Sequence, residues 1–358
     1  MAAALFSPLT IRAVTLRNRI GVSPMCQYSS VDGHANNWHL VHLGSRAVGG
    51  AALVFSEATA VEARGRISPG DLGIYPDAHC GMLEQITAFV RAQGAVPGIQ
   101  LAHAGRKAST TRPWDGHRRA RRDEGGWDDV VAPSAIPFSD TYPQPRELDQ
   151  AGIARVLAAF RAAARRARDV GFEVAEIHAA HGYLLHEFLS PLSNHRTDRY
   201  GGSFDNRIRM VSETVAAVRS VWPDTLPLVL GVSATDWVDG GWTVDETVEL
   251  ARRVAELGVD MVDCSSGGNT PTVPIPVGPG YQVPVAERVR NEAGAMSAAV
   301  GLITDAAQAD AIVATGQADI VLLARQELRD PYWPLHAARE LGVEVARPVQ
   351  YERARYRR

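Results

Sequence analysis

The sequence is poor in cysteine, in excess charge and in long apolar runs. Its three cysteines, Cys26, Cys80 and Cys264, are odd in number and far apart, which argues against a disulfide framework and against clustered zinc or iron–sulfur ligands. The formal net charge of −3 excludes the strongly basic surface of a general nucleic-acid binder. No apolar run approaches the roughly 20 residues of a membrane span, and no leader-like segment opens the chain. We therefore expect a cytoplasmic protein with neither nucleic-acid nor membrane partners.

The remaining sequence is globular in composition and alternates between two kinds of segment. Hydrophobic residues make up 46% and charged residues 22%, a balance that excludes a disordered chain. Short apolar, β-branched runs predict strands at 20–25, 52–57, 96–103, 174–178, 228–234, 261–265, 300–304 and 320–325. Amphipathic stretches predict helices at 79–93, 148–170, 206–221, 244–257 and 305–315. Eight strand–helix units in series predict an α/β fold, a single (β/α)8 TIM barrel over residues 1–358.

Two stretches interrupt this alternation. Residues 110–138 are rich in Arg, Gly, Asp and Pro, and they follow the third strand on the catalytic face of the predicted barrel. Residues 267–284 are rich in Pro and Gly and follow the sixth strand. Long loops in such places usually form lids or binding loops, so we expect 110–138 to lie over the catalytic face of one domain.

The fourth strand ends in a cluster of ionisable side chains. His178 and His181 are three residues apart, and Tyr183 follows. Two imidazoles can donate hydrogen bonds to one oxygen, and a phenol can deliver a proton. The same residues also fit a satisfied pair of core histidines, a weak metal motif, or a tyrosine that only packs. The motif alone leaves these alternatives open.

Two other strand ends carry weaker signals. Cys26, two residues before Tyr28, is either a small buried apolar residue or a redox or ligand contact. The last two strands end in small residues before helices, which is where barrels bind phosphate. Arg325 at that place either contacts the phosphate or pairs with Asp330.

Four blocks together resemble the old yellow enzyme family of flavin-dependent ene-reductases, in its bacterial subclass with a cysteine next to the flavin. They are 23–28 (SPMCQY), 100–107, 176–202 (EIHAAHGYLLHEFLSPLSNHRTDRYGG) and 327–333. The resemblance covers nearly the whole chain and implies non-covalent FMN on the catalytic face. NADPH or NADH would reduce the FMN, and an α,β-unsaturated carbonyl compound would then enter the same place with ping-pong kinetics. Flavin N5 would give hydride to Cβ, and an acid would protonate Cα.

The resemblance also implies roles for individual residues. His178 and His181 would bind the carbonyl oxygen, on which negative charge develops as hydride arrives. Tyr183 would donate the proton, and Tyr28 would add a hydrogen bond to the ligand. The implied flavin contacts are Ser23, Pro24, Met25, Cys26, Ala58, Gln100, Gly301, Ala324 and Arg325.

The C-terminal tail, 349–358, carries a further expectation. The subclass brings a C-terminal arginine from a neighbouring subunit into the active site, and Arg353 matches it. We therefore expect a homodimer or homotetramer, with an exposed, frayed tail as the alternative.

One residue departs from the family pattern. The family typically has an arginine beside flavin N1 and O2, and Gly231 holds that place here. The loss of a cation predicts a lowered flavin potential, weaker FMN binding, or replacement of the charge by Lys107. A water or another donor would make the difference small.

Three rival functions remain at this stage. A TIM-barrel lyase or hydrolase, cofactor-free or metal-dependent, could use the His178/His181 pair. A relative of 2,4-dienoyl-CoA reductase would need extra domains and a cysteine cluster, which 358 residues with three scattered cysteines do not supply. A barrel that binds FMN but turns over poorly because of Gly231 is the third. The natural substrate is not indicated by the sequence.

Overall fold

The computed structural model describes residues 3–354 of the chain. Its strands are β1 (Leu9–Ile11), β2 (Val14–Leu16), β3 (Ile20–Val22), β4 (Leu53–Ala60), β5 (Val96–Ala102), β6 (Val131–Ala132), β7 (Arg146–Glu147), β8 (Val174–Ala179), β9 (Leu228–Ser233), β10 (Met261–Ser265), β11 (Met296–Ala299) and β12 (Ile320–Leu323). Its helices are α1 (Asn37–Val48), α2 (Cys80–Ala92), α3 (Gln150–Asp169), α4 (Leu184–Leu189), α5 (Phe204–Arg207), α6 (Arg209–Arg219), α7 (Val244–Glu256), α8 (Val283–Ala293), α9 (Ala306–Ala314), α10 (Arg325–Arg329) and α11 (Trp333–Glu340).

Eight parallel strands close into a barrel, which confirms the predicted TIM-barrel fold. The order around the barrel is β3-β4-β5-β8-β9-β10-β11-β12, so the strands keep their chain order. Every residue of β4, β5, β8 and β9 is buried, as strands covered on both faces must be. The β1–β2 hairpin packs its apolar side chains against Phe55, Val174 and Val229, in a cluster separate from the main core. The hairpin thus packs against apolar side chains from the early parts of the strands, and the opposite, C-terminal ends carry the polar residues described below.

The five predicted helices are present, with ends that shift by at most two residues, except at 206–221. That segment is divided into α5 and α6. The sequence prediction missed α1, α4, α8, α10 and α11. In α1, Asn36 caps the helix by accepting from the backbone of Trp38, and His39 completes a capping box. Within residues 3–354, no helix is both long enough and apolar enough to cross a membrane.

The seventh strand was predicted at the wrong place. The prediction set it at 300–304, whereas β11 is Met296–Ala299 and pairs in register with β10. Gly301 and Leu302 have positive φ values of 117° and 52°, which an extended strand does not allow. Residues 300–304 therefore form a loop at the C-terminal end of the barrel. The eighth strand likewise ends at Leu323, and Arg325 opens α10.

Candidate active site

A pocket with a cavity volume of about 260 Å³ opens at the C-terminal ends of the barrel strands. It brings together most of the residues that the sequence singled out. Those that line it are Ser23, Pro24, Cys26, Ala58, Gln100, His178, His181, Tyr183, Gly301, Ala324 and Arg325. These residues come from the ends of six strands and the loops that follow, so the fold rather than sequence proximity assembles the pocket.

Three other predicted site residues do not line this pocket. Met25 packs against the main apolar core. Tyr28 packs at the rim in the same small cluster as Cys26 and Tyr183. Arg353 is exposed in a single turn, Val349–Ala354. Residues 355–358 of the predicted tail lie outside the described part of the chain.

The end of β8 forms one wall of the pocket from His178, His181 and Tyr183. The ring centroid of His178 lies 5.2 Å from that of His181 and 5.2 Å from that of Tyr183, edge to face in both cases. His181 Nε2 lies 2.7 Å from the hydroxyl of Ser265. His178 Nδ1 is buried and has no hydrogen-bond partner among the described residues. Buried polar atoms are rarely left unpaired, so this wall is suited to a ligand that offers an oxygen.

The turn after β8 is fixed by its backbone and by Lys107. His181 and Gly182 both have positive φ values, 60° and 71°. A Cβ at position 182 would lie 2.2 Å from the carbonyl oxygen of Gly268, so only glycine fits there. The Lys107 ammonium donates to the carbonyl oxygens of His181 and Gly268, at 2.8 and 2.7 Å. These contacts hold the two imidazoles and Tyr183 in place before a ligand arrives.

Burial sets the protonation state of this wall. It lowers the pKa of His181 to about 4 and holds the pKa of His178 well below its usual range. Burial also raises the pKa of Tyr183 well above that of a free phenol, and it raises the pKa of the Cys26 thiol. At neutral pH the wall therefore carries two neutral imidazoles, a protonated phenol and a neutral thiol.

The wall across the barrel from β8 is cationic. It is formed by the loop around Gly301 and by α10, whose Arg325 and Arg329 both line the pocket. Asp330, the alternative partner of Arg325, instead lies 2.6 Å from His336 Nδ1. At Gly301, which also lines the pocket, φ is 117° and a Cβ would lie 2.9 Å from Gln282 Nε2, so glycine is favoured there. The pocket thus has a cationic wall on one side and a wall of neutral hydrogen-bonding groups on the other. This arrangement suits a ligand with an anionic group at one end and hydrogen-bonding atoms at the other.

The sequence prediction missed part of the lining. The missed polar side chains are Asp263, Ser265, Tyr281, Gln282, Thr304, Gln326 and Arg329. Arg329 follows Arg325 by four residues, a helical spacing that would have placed both on one face. Asp263 and Ser265 are two residues apart at the end of a strand that the sequence did identify. Residues at this spacing lie on the same face of a strand, so the pattern could have predicted both. No such signal marks Gln282, which a long loop brings to the pocket.

The loop at 110–138 reaches the rim of the pocket. Trp114 meets the ring of Tyr28 edge to face, with centroids 5.7 Å apart. The ring of Phe138 lies 4.3 Å from Lys107 Nζ. Lys107 itself uses its ammonium group on the turn after β8, so it does not replace a charge at Gly231.

Across residues 3–354, no group of three or more His, Cys, Asp or Glu side chains is arranged to hold a metal ion. The pair of His178 and His181 thus has no third ligand of these types within the described chain.

Comparison with known sequences gives matches along the full chain. Residues 4–344 match the NADH:flavin oxidoreductase / NADH oxidase family. An NADPH dehydrogenase of Geobacillus sp. (strain WCH70) is 50% identical over 355 residues, which cover 99% of each chain. An NADPH dehydrogenase of Bacillus subtilis (strain 168) is 46% identical over 355 residues, again 99% of each chain.

Comparison with solved structures gives the same fold. Morphinone reductase in complex with tetrahydroNAD aligns with a TM-score of 0.79 and 25% identity, over 96% of this chain and 92% of that one. A complex of 2-naphthoyl-CoA reductase with 2-naphthoyl-CoA aligns with a TM-score of 0.87 and 25% identity, over 95% of this chain and 53% of that one.

Proposed function

This chain belongs to the NADH:flavin oxidoreductase / NADH oxidase family, and on that premise we propose that it reduces the C=C bond of α,β-unsaturated carbonyl compounds. It is an FMN-dependent NADPH dehydrogenase of the old yellow enzyme type. Family membership favours flavin chemistry over a lyase or hydrolase, whether cofactor-free or metal-dependent. The similarity to NADPH dehydrogenases, at 46–50% identity, favours that activity over a dienoyl-CoA reductase.

The observation that carries the proposal is the neutral donor wall at the end of β8. A carbonyl oxygen gains negative charge when hydride arrives at the β-carbon, and donors that are already in place stabilise that charge. His178 and His181 form such a donor pair, with ring centroids 5.2 Å apart. Because burial lowers the pKa of both, they donate as neutral imidazoles and each needs its proton on the nitrogen that faces the substrate.

Tyr183 is the proposed proton donor to Cα. Its ring lies beside that of His178, and burial raises its pKa well above the usual range, so the phenol keeps its proton until the α-carbon becomes basic. The proton leaves the phenolic oxygen and the C–H bond forms at Cα. A solvent proton restores the phenol afterwards.

The side chains and backbone that line the pocket suit the chemical groups of FMN. Arg325, Ala324 and the Gly301 backbone would hold the phosphate at the cationic wall, and Arg329 adds a second charge. Ser23, Pro24 and Ala58 would line the ring, with Gln100 at its pyrimidine edge. FMN, when bound, accepts hydride from NADPH and supplies it to the β-carbon of the enone.

The rim residues have positioning roles in this proposal. Cys26 would contact the flavin as a neutral thiol, because burial raises its pKa, and Met25 would contribute backbone. Tyr28 would donate a hydrogen bond to the ligand from the rim, next to Trp114. The loop at 110–138 would cover the pocket and limit substrate size.

We further propose a homo-oligomer of cytoplasmic enzyme, a homodimer or homotetramer, in which Arg353 enters a neighbouring active site. Two features support this assembly: Arg353 is exposed, and the turn around it is anchored by the hydroxyl of Tyr351, 3.3 Å from that of Tyr332. Single-domain organisation over 1–358, with the tail at 349–358, belongs to the same proposal.

The proposal is tested by an anaerobic two-step titration of the purified holoenzyme. NADPH is added to bleach the visible absorbance of oxidised FMN, and 2-cyclohexenone is then added in portions. We expect full return of the oxidised spectrum, with one saturated ketone formed per NADPH. Bleaching without return on any enone or enal would contradict C=C reduction and would favour a flavoprotein that turns over poorly with such substrates.

A further inference from the structure

Two carboxyl groups lie buried beside Gly231, at the end of the pocket where β8, β9 and β10 meet. Glu176 on β8 is 0% exposed, and Asp263 on β10 is 6% exposed and lines the pocket. β9 runs between these strands, and its Gly231 pairs in register with His178 on one side and Asp263 on the other. At this level of the barrel, β9 has only the backbone of Gly231 between the strands that carry the two acids.

The two carboxyl groups have few hydrogen-bond donors. Gln100 Nε2 donates to Glu176 Oε1 at 2.7 Å. Glu176 Oε2 and Asp263 Oδ1 are buried and have no hydrogen-bond partner among the described residues. The groups that act on the charge of Glu176 are Asp263 and Gln100, and neither is a cation.

The carboxyl group of Glu176 lies close to Gly231, where a side chain would otherwise be. A Cβ at that position would lie 2.4 Å from Glu176 Oε1. The carboxyl group of Glu176 therefore occupies the space that any side chain at 231 would enter. With glycine there, β9 brings no positive charge to the two acids.

Physical chemistry does not allow this pair to be fully ionised. Burying an ionised carboxylate without a cation is unfavourable, and burying two side by side is more so. At least one of the two carboxylates therefore takes up a proton. Burial raises the pKa of Asp263 to about 7 and that of Glu176 well above its usual range, and Asp263 raises the latter further. Two titratable neighbours adjoin the pair along their strands, and both stay neutral. Burial raises the pKa of the Cys264 thiol, next to Asp263 on β10, and holds the pKa of His178, two residues from Glu176 on β8, well below the usual range. Gln100 on β5 and Gly231 on β9 do not titrate.

We propose that Glu176 and Asp263 form a buried acid pair that keeps at least one proton at neutral pH and presents an uncharged, proton-carrying edge to FMN beside Gly231. This inference rests on FMN binding and is independent of the enone substrate. Two-electron reduction of FMN takes up two protons if the reduced ring is neutral and one if the ring is anionic. Without a fixed cation to stabilise an anion, the ring in this pocket takes up the second proton.

The first test is infrared spectroscopy of the FMN-loaded protein at pH 7. Protonated carboxylic acids show a carbonyl stretch that carboxylates lack. Other buried acids, such as Asp71 and Glu187, contribute equally to all samples and cancel in a difference between variants. We expect Glu176→Gln or Asp263→Asn to remove one such band from the wild-type spectrum. Two folded variants that both leave the bands unchanged would overturn the acid pair.

The second test needs only the wild-type holoenzyme and therefore remains available if those variants do not fold. The midpoint potential of bound FMN is measured as a function of pH around neutrality. We expect a slope that corresponds to two protons for two electrons. A slope of one proton for two electrons would overturn the proposal, whether or not the enzyme reduces enones.

Substitutions at Gly231 give a matched comparison. Gly231→Arg brings a cation to the two acids, and we expect the slope to fall to one proton for two electrons. Gly231→Gln has similar bulk without charge and should keep a slope of two. Equal slopes in these two variants would show that the charge of the acid pair does not govern the flavin, and would contradict the proposal.

Discussion

Two neighbouring barrel strands, β8 and β9, differ in the side chains that they bring to the C-terminal end of the barrel, and only the β8 side lines the described pocket. β8 brings Glu176 and His178, and the turn after it adds His181 and Tyr183. β9 brings the bare backbone of Gly231 and then Ser233, whose hydroxyl accepts from the backbone N–H of His181 at 2.8 Å. One strand and the turn after it therefore carry the proposed reacting groups, while the neighbouring strand supports the backbone of His181 and leaves room for Glu176.

The comparison shows why adjacent positions in a barrel need not carry similar chemistry. His178, His181 and Tyr183 on the β8 side are all uncharged at neutral pH, because desolvation lowers the pKa of both imidazoles and raises that of the phenol, and this suits the donor roles proposed for them. At Gly231, β9 brings no cation to Glu176 of β8 and Asp263 of β10, and we propose that these two acids govern the charge beside the flavin. The two sides can therefore be tested separately, the first by substrate turnover and the second by proton uptake.

The largest effect is expected at the proton donor of the β8 wall. Tyr183→Phe should slow reoxidation of the reduced enzyme by an enone by about 10²- to 10⁴-fold, since this is the usual contribution of a general acid. Reduction of FMN by NADPH should change by only a few fold. Stopped-flow absorbance separates the two half-reactions. Tyr281→Phe, on the cationic side of the pocket, serves as the control, and equal losses in both variants would argue against a special role for Tyr183.

The next effect concerns the donor pair of the same wall. His178→Ala should lower kcat/KM for an enone by about 10²- to 10³-fold, as removal of one donor to a developing oxyanion does. Steady-state assays with 2-cyclohexenone measure this change. His336→Ala, an exposed histidine on α11, should have no effect. A decrease of less than tenfold would contradict the role of His178 as a donor to the carbonyl oxygen.

A smaller effect is expected at the cationic wall, which neither strand forms. Arg325→Ala should raise the Kd of the apoprotein for FMN by about 10- to 100-fold, because a hydrogen bond to a charged group contributes about 1.5–3 kcal/mol. Fluorescence quenching of FMN measures the affinity. Arg252→Ala, on the surface of α7, is the matched control. An unchanged Kd would refute phosphate binding by Arg325.

The smallest effect concerns the contact that joins the segments after β8 and β9. Burial alone would raise the pKa of Asp236, but hydrogen bonds from His186 and Ser190 hold it at about 2. A depressed carboxyl pKa stabilises the fold above the unfolded value of 3.8 and loses that contribution as the pH falls towards 2. We expect a loss of about 2 kcal/mol over that interval in denaturant unfolding.

Asp236→Asn provides the control for this last prediction. The variant should be less stable at neutral pH and should lose less stability than the wild type between pH 4 and pH 2. If the two proteins lose the same amount, the acid sensitivity comes from other carboxyl groups.

The barrel and much of its pocket followed from the sequence because their signals are local. Continuous apolar runs such as 228–234 predicted buried parallel strands. Strand ends drew attention to His178, His181 and Tyr183, whereas most of the other pocket residues were implied by the resemblance to the old yellow enzyme family. The same approach misplaced the seventh strand, because Val300–Gly301–Leu302 looks extended until the positive φ values are known. Gln282 was missed since only a long loop brings it to the pocket.

The role of Gly231 shows a different limit of sequence analysis. The sequence revealed that an arginine was absent and suggested Lys107 as its replacement. Only the structure shows that Lys107 is bonded to the turn after β8, and that Glu176 fills the space beside Gly231. The consequence of a missing side chain depends on its neighbours in three dimensions, which a single sequence does not give.

The most direct test of the account is a crystal structure of the FMN-loaded protein with a bound ketone or enone analogue. The account predicts that the carbonyl oxygen lies within about 3.2 Å of a nitrogen of both His178 and His181, with the Tyr183 hydroxyl facing the α-carbon. A ligand whose oxygen points to another wall, with both imidazoles directed away from it, would contradict the account.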